Sequence, residues 1–562
     1  MDPPVEIQDG NWVQRQNHSF TWATFMDVTH PVNVSIRLSC VEFILTHPTV
    51  ESSSQELLRE LAFSKDQHGR EVLQITDAST RKYIYDRLFF CGRYDIFQGP
   101  PVYVSSTAVV VMAYDHGICA QVFHEHKNTD GGLDIGGFIN CNKFLGRVGS
   151  KIKTTKDKKL EEKKWQAEFQ LWDKDANGSL SEEEYLRYCG QYFGGKLQVA
   201  MKFMKNGDEF DREIGNRKDL DSNYVLSLLP SVDQQTFENN LTNLKIHGDY
   251  TMSEYPHVMV MPAADRSLED IYLKERPGEN ERRILLQQVA EGLQHLHDND
   301  LVHGDVKKLN VVRVGNRLKL IDLDATTTTG DSVGVKYSSG SLPPELFYKL
   351  KSDDEIKLYC KHWANENSTA PELWERVWQK VKPKNGYVVK TFHNADYNLP
   401  YTLIKAHPSM DAWAYGVLVY QMYSGEELVS TDFNQDVLDD KMEQAATWTQ
   451  EKLNSRIQGK ISNALVRDLL EKLLVVDYED RISMDAVLEH AYFKVDSTAS
   501  TNDYMKTIIK GIQDSREMVY ENVAEIKENI LQMGEAIDHI CEKLDYAIDL
   551  TNEGLKKLAK TK

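Results

Sequence analysis

The twelve residues DKDANGSLSEEE, 173–184, restrict the local fold more tightly than any other stretch of this chain. Asp173, Asp175 and Asn177 stand at the first, third and fifth positions, Gly178 at the sixth and Glu184 at the twelfth. Oxygens at this spacing converge on one point when the chain turns sharply at the sixth residue, where the absence of a Cβ removes the steric penalty. Ser179 adds a backbone carbonyl, Ser181 a hydroxyl able to hold a water, and Leu180 an apolar residue that can pair with a partner loop. Such an oxygen-rich, flexible set suits a hard cation, Ca2+ above all. The flanks WQAEFQLW and EEYLRYC supply helices on either side.

The loop resembles that of the EF-hand family at every ligand position. EF-hands usually pair, and HKNTDGGLDIGG at 126–137 fits the same frame through Asn128, Asp130, Gly131, Leu133 and Asp134. It has His126 at the first position and Gly137 at the twelfth, so it lacks the closing carboxylate. It is expected to be a structural partner for the second loop, both within a module spanning 120–195.

Composition narrows the remaining classes. The chain has 562 residues, 41% hydrophobic, and a formal net charge of -20. Phosphate-backbone recognition needs clustered Lys and Arg, so a nucleic-acid partner is not expected. The seven cysteines are scattered, with no C-x-x-C pair, which fits free thiols in a reducing, cytoplasmic setting. No apolar signal core opens the chain, and no apolar run reaches membrane-span length.

The termini differ from the middle. Residues 1–92 read as helical, with Leu57, Leu58 and Leu61 on one face, and their rhythm resembles a worn ankyrin-type helix pair. From about 93, GRYDIF and STAVVVMAYD read as strands. In 500–562 the residues Val519, Val523, Ile526, Ile530, Met533, Ile537, Ile540, Leu544 and Ala547 form a heptad seam, which predicts a coiled coil and a homo-oligomer.

Across 93–493 a set of short motifs occurs in one order. VAMK ends in Lys202 on a predicted strand, and FDREI follows with Glu213, the short gap of eleven residues leaving Glu209 as the alternative. HVMVMPAADRS contains Met261 and Ala264. LVHGDVKKLNVV holds Asp305, Lys307 and Asn310; LKLIDLD ends in Asp322-Leu323-Asp324; GSLPPELF carries Glu345. DAWAYGV contributes Asp411 and YEDRIS contributes Arg481.

Together these resemble the eukaryotic protein kinase family, of the serine/threonine, non-RD kind. The resemblance implies an α+β, bilobal protein-kinase fold with an EF-hand insertion, a helical N-terminal region and a C-terminal coiled coil. It implies that Lys202 holds the α- and β-phosphates of ATP and pairs with the helix glutamate. By the same resemblance Asp305 positions the substrate hydroxyl and Lys307 steadies the γ-phosphate. Asn310 and Asp322 would bind Mg2+, Met261 would line the nucleotide pocket, and Ala264 would offer backbone groups to adenine. Asp411 would support the catalytic loop, and Arg481 would pair with Glu345.

Three departures stand out. GPPVYVSSTAVV keeps only Gly99 of a glycine-rich loop, leaving Ser105, Ser106 and Thr107 to offer hydroxyls to phosphate. Asp324 stands where the D-F-G pattern has glycine. Gly304 replaces the arginine that normally answers an activation-loop phosphate, which points to control by another route. The Thr/Ser-rich segment 322–345 makes autophosphorylation possible without requiring it, and 350–400 reads as an insertion. The expected function is a calcium-responsive serine/threonine kinase acting on protein substrates with ATP, Mg2+ and Ca2+. The alternative is a pseudokinase serving as a calcium-sensing scaffold.

Overall fold

The computed structural model describes residues 72–145, 155–363, 371–392 and 398–494, apart from 106, 243, 247–249 and 433. Short pieces at 6–8, 11–13, 19–20, 59 and 62–64 are also described. The heptad seam of 500–562 therefore lies outside the described residues, as does Ser106. Two compact units divide the chain, 1–277 with 284–488, and 278–283 with 489–562. Within the second, the Arg283 guanidinium lies 5.7 Å from the ring centre of Tyr492.

At its start the N-terminal region forms strands where helix is expected. β1 (Glu6–Gln8), β2 (Asn11–Val13) and β3 (Ser19–Phe20) form an antiparallel meander. The first ladder ends at Gln8↔Asn11, with Asp9-Gly10 between them in sequence. That dipeptide favours the two-residue hairpin turns whose twist matches paired strands, a signal the helical reading passed over. Helix does appear at α1 (Val72–Ile75) and α2 (Ala78–Leu88). Asp77 starts α2 by accepting the Thr80 backbone N–H at 2.9 Å. Leu57, Leu58 and Leu61, on which the ankyrin-type reading rests, lie outside the described residues.

A five-stranded antiparallel sheet positions the site. β4 (Tyr94–Ile96), β6 (Ala108–Asp115), β7 (Leu197–Met204) and β8 (His257–Pro262) lie in the order β8-β7-β6-β4, and β5 (Tyr103–Val104) extends the hairpin on β6. β7 is central, with Lys202 opposite Val110 on one side and Met259 on the other. Side chains alternate along a strand. Val199, Met201 and Phe203 therefore face one core, and Lys202 faces away from it.

Between β6 and β7 the chain makes two helix–loop–helix units. α3 (Ile118–His126) and α4 (Ile135–Phe144) flank the first loop, α5 (Thr155–Trp172) and α6 (Glu182–Phe193) the second. Leu133 and Leu180 join the loops as an antiparallel bridge, with N–H to carbonyl distances of 2.9 and 2.8 Å. Phe138 stands at the centre of the pair, its ring within 6.5 Å of Trp165, Phe169, Tyr185 and Tyr188. These residues and the β6–β7 residues Val109, Val111, Val199 and Met201 belong to one buried apolar core. At one end Asp115 caps α3 and is clamped by Arg93 at 2.6 and 2.8 Å. At the other, α6 passes into β7 through Gly194 and Gly195, both left-handed at φ 66° and 72°. Only Lys196 stands between them and the strand.

Beyond β7 come α7 (Gly207–Arg217), α8 (Gln234–Leu241) and the long α9 (Glu279–Asp298). β9 (Leu301–Val302) leads into the catalytic-loop motif, and β10 (Val311–Val314) and β11 (Arg317–Leu320) form a hairpin after it. β12 (Thr327–Thr328) pairs back on β9. β13 (Phe347–Lys349) pairs with β14 (Tyr387–Val389), and α10 (Asp353–Trp363) and α11 (Pro371–Val381) lie between them in sequence. This insertion has its own core of Tyr359, Trp363, Val381 and Val388. α12 (Pro408–Ser424) is buried almost throughout, as its apolar sequence on all faces requires.

Candidate active site

β7 and α7 bring the first cluster together. Asn206 caps α7 by accepting the Glu209 backbone N–H, which sets the helix one turn ahead of Glu213. Lys202 Nζ donates to Glu213 Oε2 at 2.7 Å and to Asp322 Oδ1 at 2.6 Å. The sequence left Glu209 and Glu213 as rivals, and Lys202 pairs with Glu213. The second oxygen of Glu213 is taken by Arg217 at 2.7 Å, a partner the sequence reading missed. Arg217 follows Glu213 by four residues, a helical spacing that was available as a signal. Burial opposes the charge on Lys202, but Asp322, Glu213 and Asp324 outweigh it and hold its ammonium above the ordinary lysine value. Asp322 is half-buried, and Lys202 beside it outweighs that desolvation, keeping the carboxyl well below the usual range.

The catalytic-loop motif hangs on Asp411 of α12. One oxygen of Asp411 accepts the His303 N–H at 2.7 Å and sits 3.0 Å from His297 Nε2, while the other accepts the Gly304 N–H at 3.0 Å. This buried carboxylate stays ionised because His297 and the loop amides outweigh its desolvation. Gly304 lies at φ +76°, and a Cβ there would stand 3.0 Å from the carbonyl oxygen of Ala325. The glycine therefore answers a backbone need as well as removing a charge.

Asp305 is held from three directions. Its Oδ2 accepts from Asn310 Nδ2 at 2.9 Å and pairs with Lys307 at 2.7 Å, and the Asn310 amide also donates to the Asp305 carbonyl at 2.9 Å. Asp305 Oδ1 is buried and has no partner among the described residues. A lone acceptor of this kind is what a substrate hydroxyl requires. Lys307 also donates to Ser338 Oγ at 2.8 Å, tying the catalytic loop to the segment before Glu345. Burial works against the Lys307 charge, and Asp305 more than offsets it.

Ser338 was read as a candidate for phosphorylation. It is buried, as is Ser339, whose hydroxyl and N–H both bond Asp436 at 3.0 Å. Both are structural parts of this wall. Asp436 is in turn gripped by Lys380 of the insertion at 2.5 Å. Arg481 and Glu345 form the expected pair, bidentate at 2.7 Å on both arms.

The nucleotide side has apolar walls and few glycines. Met261 is buried with Leu226 and Val312, and Ala264 and Ile321 pack against them; Leu226, Val312 and Ile321 were not singled out by sequence. Gly99, at φ +143°, lies between β4 and β5, away from the tip of the hairpin. The tip lies between Val104 and Ala108. There Ser105 Oγ accepts the Ala108 N–H at 3.0 Å and Thr107 Oγ1 accepts from Lys336 at 3.3 Å, so both hydroxyl oxygens already have partners. Asn310 gives its amide N–H groups to Asp305, which leaves its carbonyl oxygen, with the Asp322 carboxylate, as an oxygen set that fits Mg2+.

The second loop of the helix–loop–helix pair gathers Asp173, Asp175 and Glu184, with carboxylate oxygens all within 4.8 Å of one another. The backbone holds them there. Asp173 accepts from Gly178 N at 2.9 Å, and Asn177 Oδ1 accepts from Ser179 N at 2.7 Å. Glu184 accepts from Lys174 N and Ser181 N, both at 2.9 Å, and Ser181 and Glu184 form a reciprocal capping box. Gly178 is at φ +82°. In the first loop a Cβ on Gly137 would meet the His126 carbonyl at 2.8 Å, so the packing leaves no room there for a closing glutamate. His126 ends helix α3 with its ring 5.2 Å from that of Phe144.

Residues 195–359 and 389–493 match the protein kinase domain family. The serine/threonine protein kinase OSK3 of Oryza sativa subsp. japonica is 24% identical over 296 residues, 52% of this chain and 45% of the relative. The carbon catabolite-derepressing protein kinase of Secale cereale is 23% identical over 278 residues, 49% of this chain and 42% of the relative. The MAP kinase-activated protein kinase 5 of Mus musculus is 24% identical over 243 residues, 42% of this chain and 45% of the relative. The chain thus spans less than half the length of these curated relatives. These two segments are similar to a protein kinase domain of mixed helix and sheet, and the relatives that match them are named as protein kinases. Among the described residues no helix is long and apolar enough to cross a membrane.

Proposed function

We propose that this protein is a calcium-responsive serine/threonine protein kinase, transferring the γ-phosphate of ATP to protein hydroxyls. The observation that carries the reading is Lys202 bonded to both Glu213 and Asp322, in a domain where Asp305 keeps one buried oxygen free. Phosphoryl transfer needs positioning and charge neutralisation more than covalent chemistry. Lys202 supplies charge for the α- and β-phosphates, and Lys307 for the γ-phosphate. Asp305 orients the acceptor hydroxyl and takes its proton, while Asn310 and Asp322 would hold Mg2+, which neutralises charge on the phosphates when bound. Met261, Ala264 and Val312 would enclose the adenine.

Calcium would be held by Asp173, Asp175, Asn177, the Ser179 carbonyl and Glu184, in an EF-hand pair with a silent first loop. Helix α6 carries Glu184 and leads through three residues into β7, which carries Lys202, so a shift of α6 acts on the phosphate-binding lysine. The coil of 500–562 would make the chain a homo-oligomer, and its free thiols suit a cytoplasmic setting. Asp324 near the phosphates favours the alternative of a non-transferring calcium scaffold.

Transfer from radiolabelled ATP to a generic protein substrate, with calcium chelated or supplied at constant Mg2+, tests both parts. Asp305→Ala is expected to abolish transfer, and Glu184→Gln to remove the response to calcium. Transfer that survives Asp305→Ala refutes the catalytic assignment, and activity indifferent to chelation refutes calcium control.

A further inference from the structure

Lys336 lies in the segment between Asp324 and Glu345, and no motif in the sequence marked it. Its Nζ is 2.9 Å from Glu209 Oε2, 3.2 Å from Asp324 Oδ2 and 3.3 Å from Thr107 Oγ1. One ammonium therefore joins four places: its own segment, helix α7, the residue two after Asp322, and the β5–β6 turn. Among the described residues no other lysine or arginine forms an ion pair with Glu209 or Asp324.

Helix α7 holds the start of the same segment by two further contacts. Arg212 donates to the Asp324 carbonyl at 3.1 Å, and Asn216 donates to the Leu323 and Thr326 carbonyls, both at 3.1 Å. Glu209 precedes Glu213 by one helical turn, so whatever holds Glu209 also holds Glu213 against Lys202. A segment phosphate usually supplies such an anchor by binding a cation beside the catalytic aspartate. Here that neighbour is Gly304, which has no charge to offer a phosphate.

We infer that Lys336 is a positioning residue that anchors the activation segment to helix α7 and Asp324, so that the site is assembled without a phosphate on the segment. The inference rests on the kinase reading and adds a mode of control to it. It also joins two departures into one device. Gly304 removes the need for a phosphate, and Asp324 supplies the carboxylate that the lysine grips. Without Lys336, Glu209 and Asp324 lose the cation between them, and repulsion between the two carboxylates pushes α7 and the segment apart.

The test uses the full chain after phosphatase treatment. Wild type is expected to keep its rate of transfer. Lys336→Met is expected to lower kcat about 10- to 100-fold, the scale of a small misplacement of reacting groups, with an unchanged melting profile as the folding control. Lys336→Arg is expected to restore most of the rate. In an Asp324→Gly background Lys336→Met is expected to cost much less than it does alone, the non-additivity of residues in direct contact. Additive losses in that cycle, a Lys336→Met rate equal to wild type, or loss of wild-type activity on dephosphorylation would each overturn the inference. Hydrogen exchange separates this from failure of the kinase reading, since it needs no turnover. Lys336→Met is expected to speed amide exchange in α7 and 322–337, and unchanged exchange overturns the inference even if the wild type proves inactive.

Discussion

Gly304→Ala gives the sharpest test of the catalytic-loop geometry, because two physical arguments assign it opposite signs. At a position whose backbone an alanine accepts freely, Gly→Ala stabilises a protein by about 0.4–1 kcal/mol, by restricting the unfolded chain. At φ +76° the same change places an L-residue in the left-handed region, at a cost of about 1–2 kcal/mol. The new Cβ also stands 3.0 Å from the Ala325 carbonyl oxygen, which is itself fixed by the Thr327 hydroxyl at 3.2 Å. The expected net effect is a destabilisation of about 1–2 kcal/mol, roughly a 5- to 30-fold fall in the folded-to-unfolded ratio. Gly315, in the β10–β11 turn, is the internal control, with φ +62° and nothing within 4 Å of its would-be Cβ. Gly315→Ala carries the backbone cost alone, so the difference between the two variants isolates the clash. The assay is urea unfolding followed by tryptophan fluorescence, with the midpoint shifting at constant slope. If Gly304→Ala is as stable as wild type, or no worse than Gly315→Ala, the strain argument is wrong.

Two further outcomes follow from buried charges. Arg481→Ala is expected to cost about 3–5 kcal/mol, because it leaves Glu345 without its bidentate partner in a largely buried site; a melt within error of wild type would refute that role. His116, stacked on Phe89 with ring centres 4.5 Å apart, is held neutral, with burial lowering its pKa to about 3. The unfolded chain takes up a proton below about 6.5 that the folded chain refuses, so stability falls as pH drops from there towards 3. His116→Phe is expected to flatten that part of the stability–pH curve, and an unchanged slope would refute the assignment.

What could be read from the sequence was whatever depends on near neighbours or on motif order. The loop at 173–184 was legible because its acidic residues and its turn glycine lie within twelve residues. The pairing of its partner followed from Leu133 and Leu180 at matching positions. Lys202, Asp305, Asn310 and Asp322 were legible because they stand in the order that the kinase resemblance expects. The hairpin of β1 and β2 carried a local signal, Asp9-Gly10, that a helical rhythm elsewhere in the region obscured.

Tertiary structure alone decided the rest. No spacing rule connects Lys336 to Glu209, 127 residues earlier, or Lys380 of the insertion to Asp436 and through it to Ser339. That the second oxygen of Glu213 goes to Arg217 depended on how the packed α7 lies against β7. That Ser338 and Ser339 are structural depended on Lys307 and Asp436 being folded onto them. The physical reason is the same in each case. Hydrogen bonds and backbone angles within a turn are set by adjacent residues, whereas an ion pair forms between whichever opposite charges the packed chain leaves together in a desolvated place. The sequence by itself determined that Asp324 is an extra acid two residues after Asp322, and only the fold decided that a lysine lies across from it.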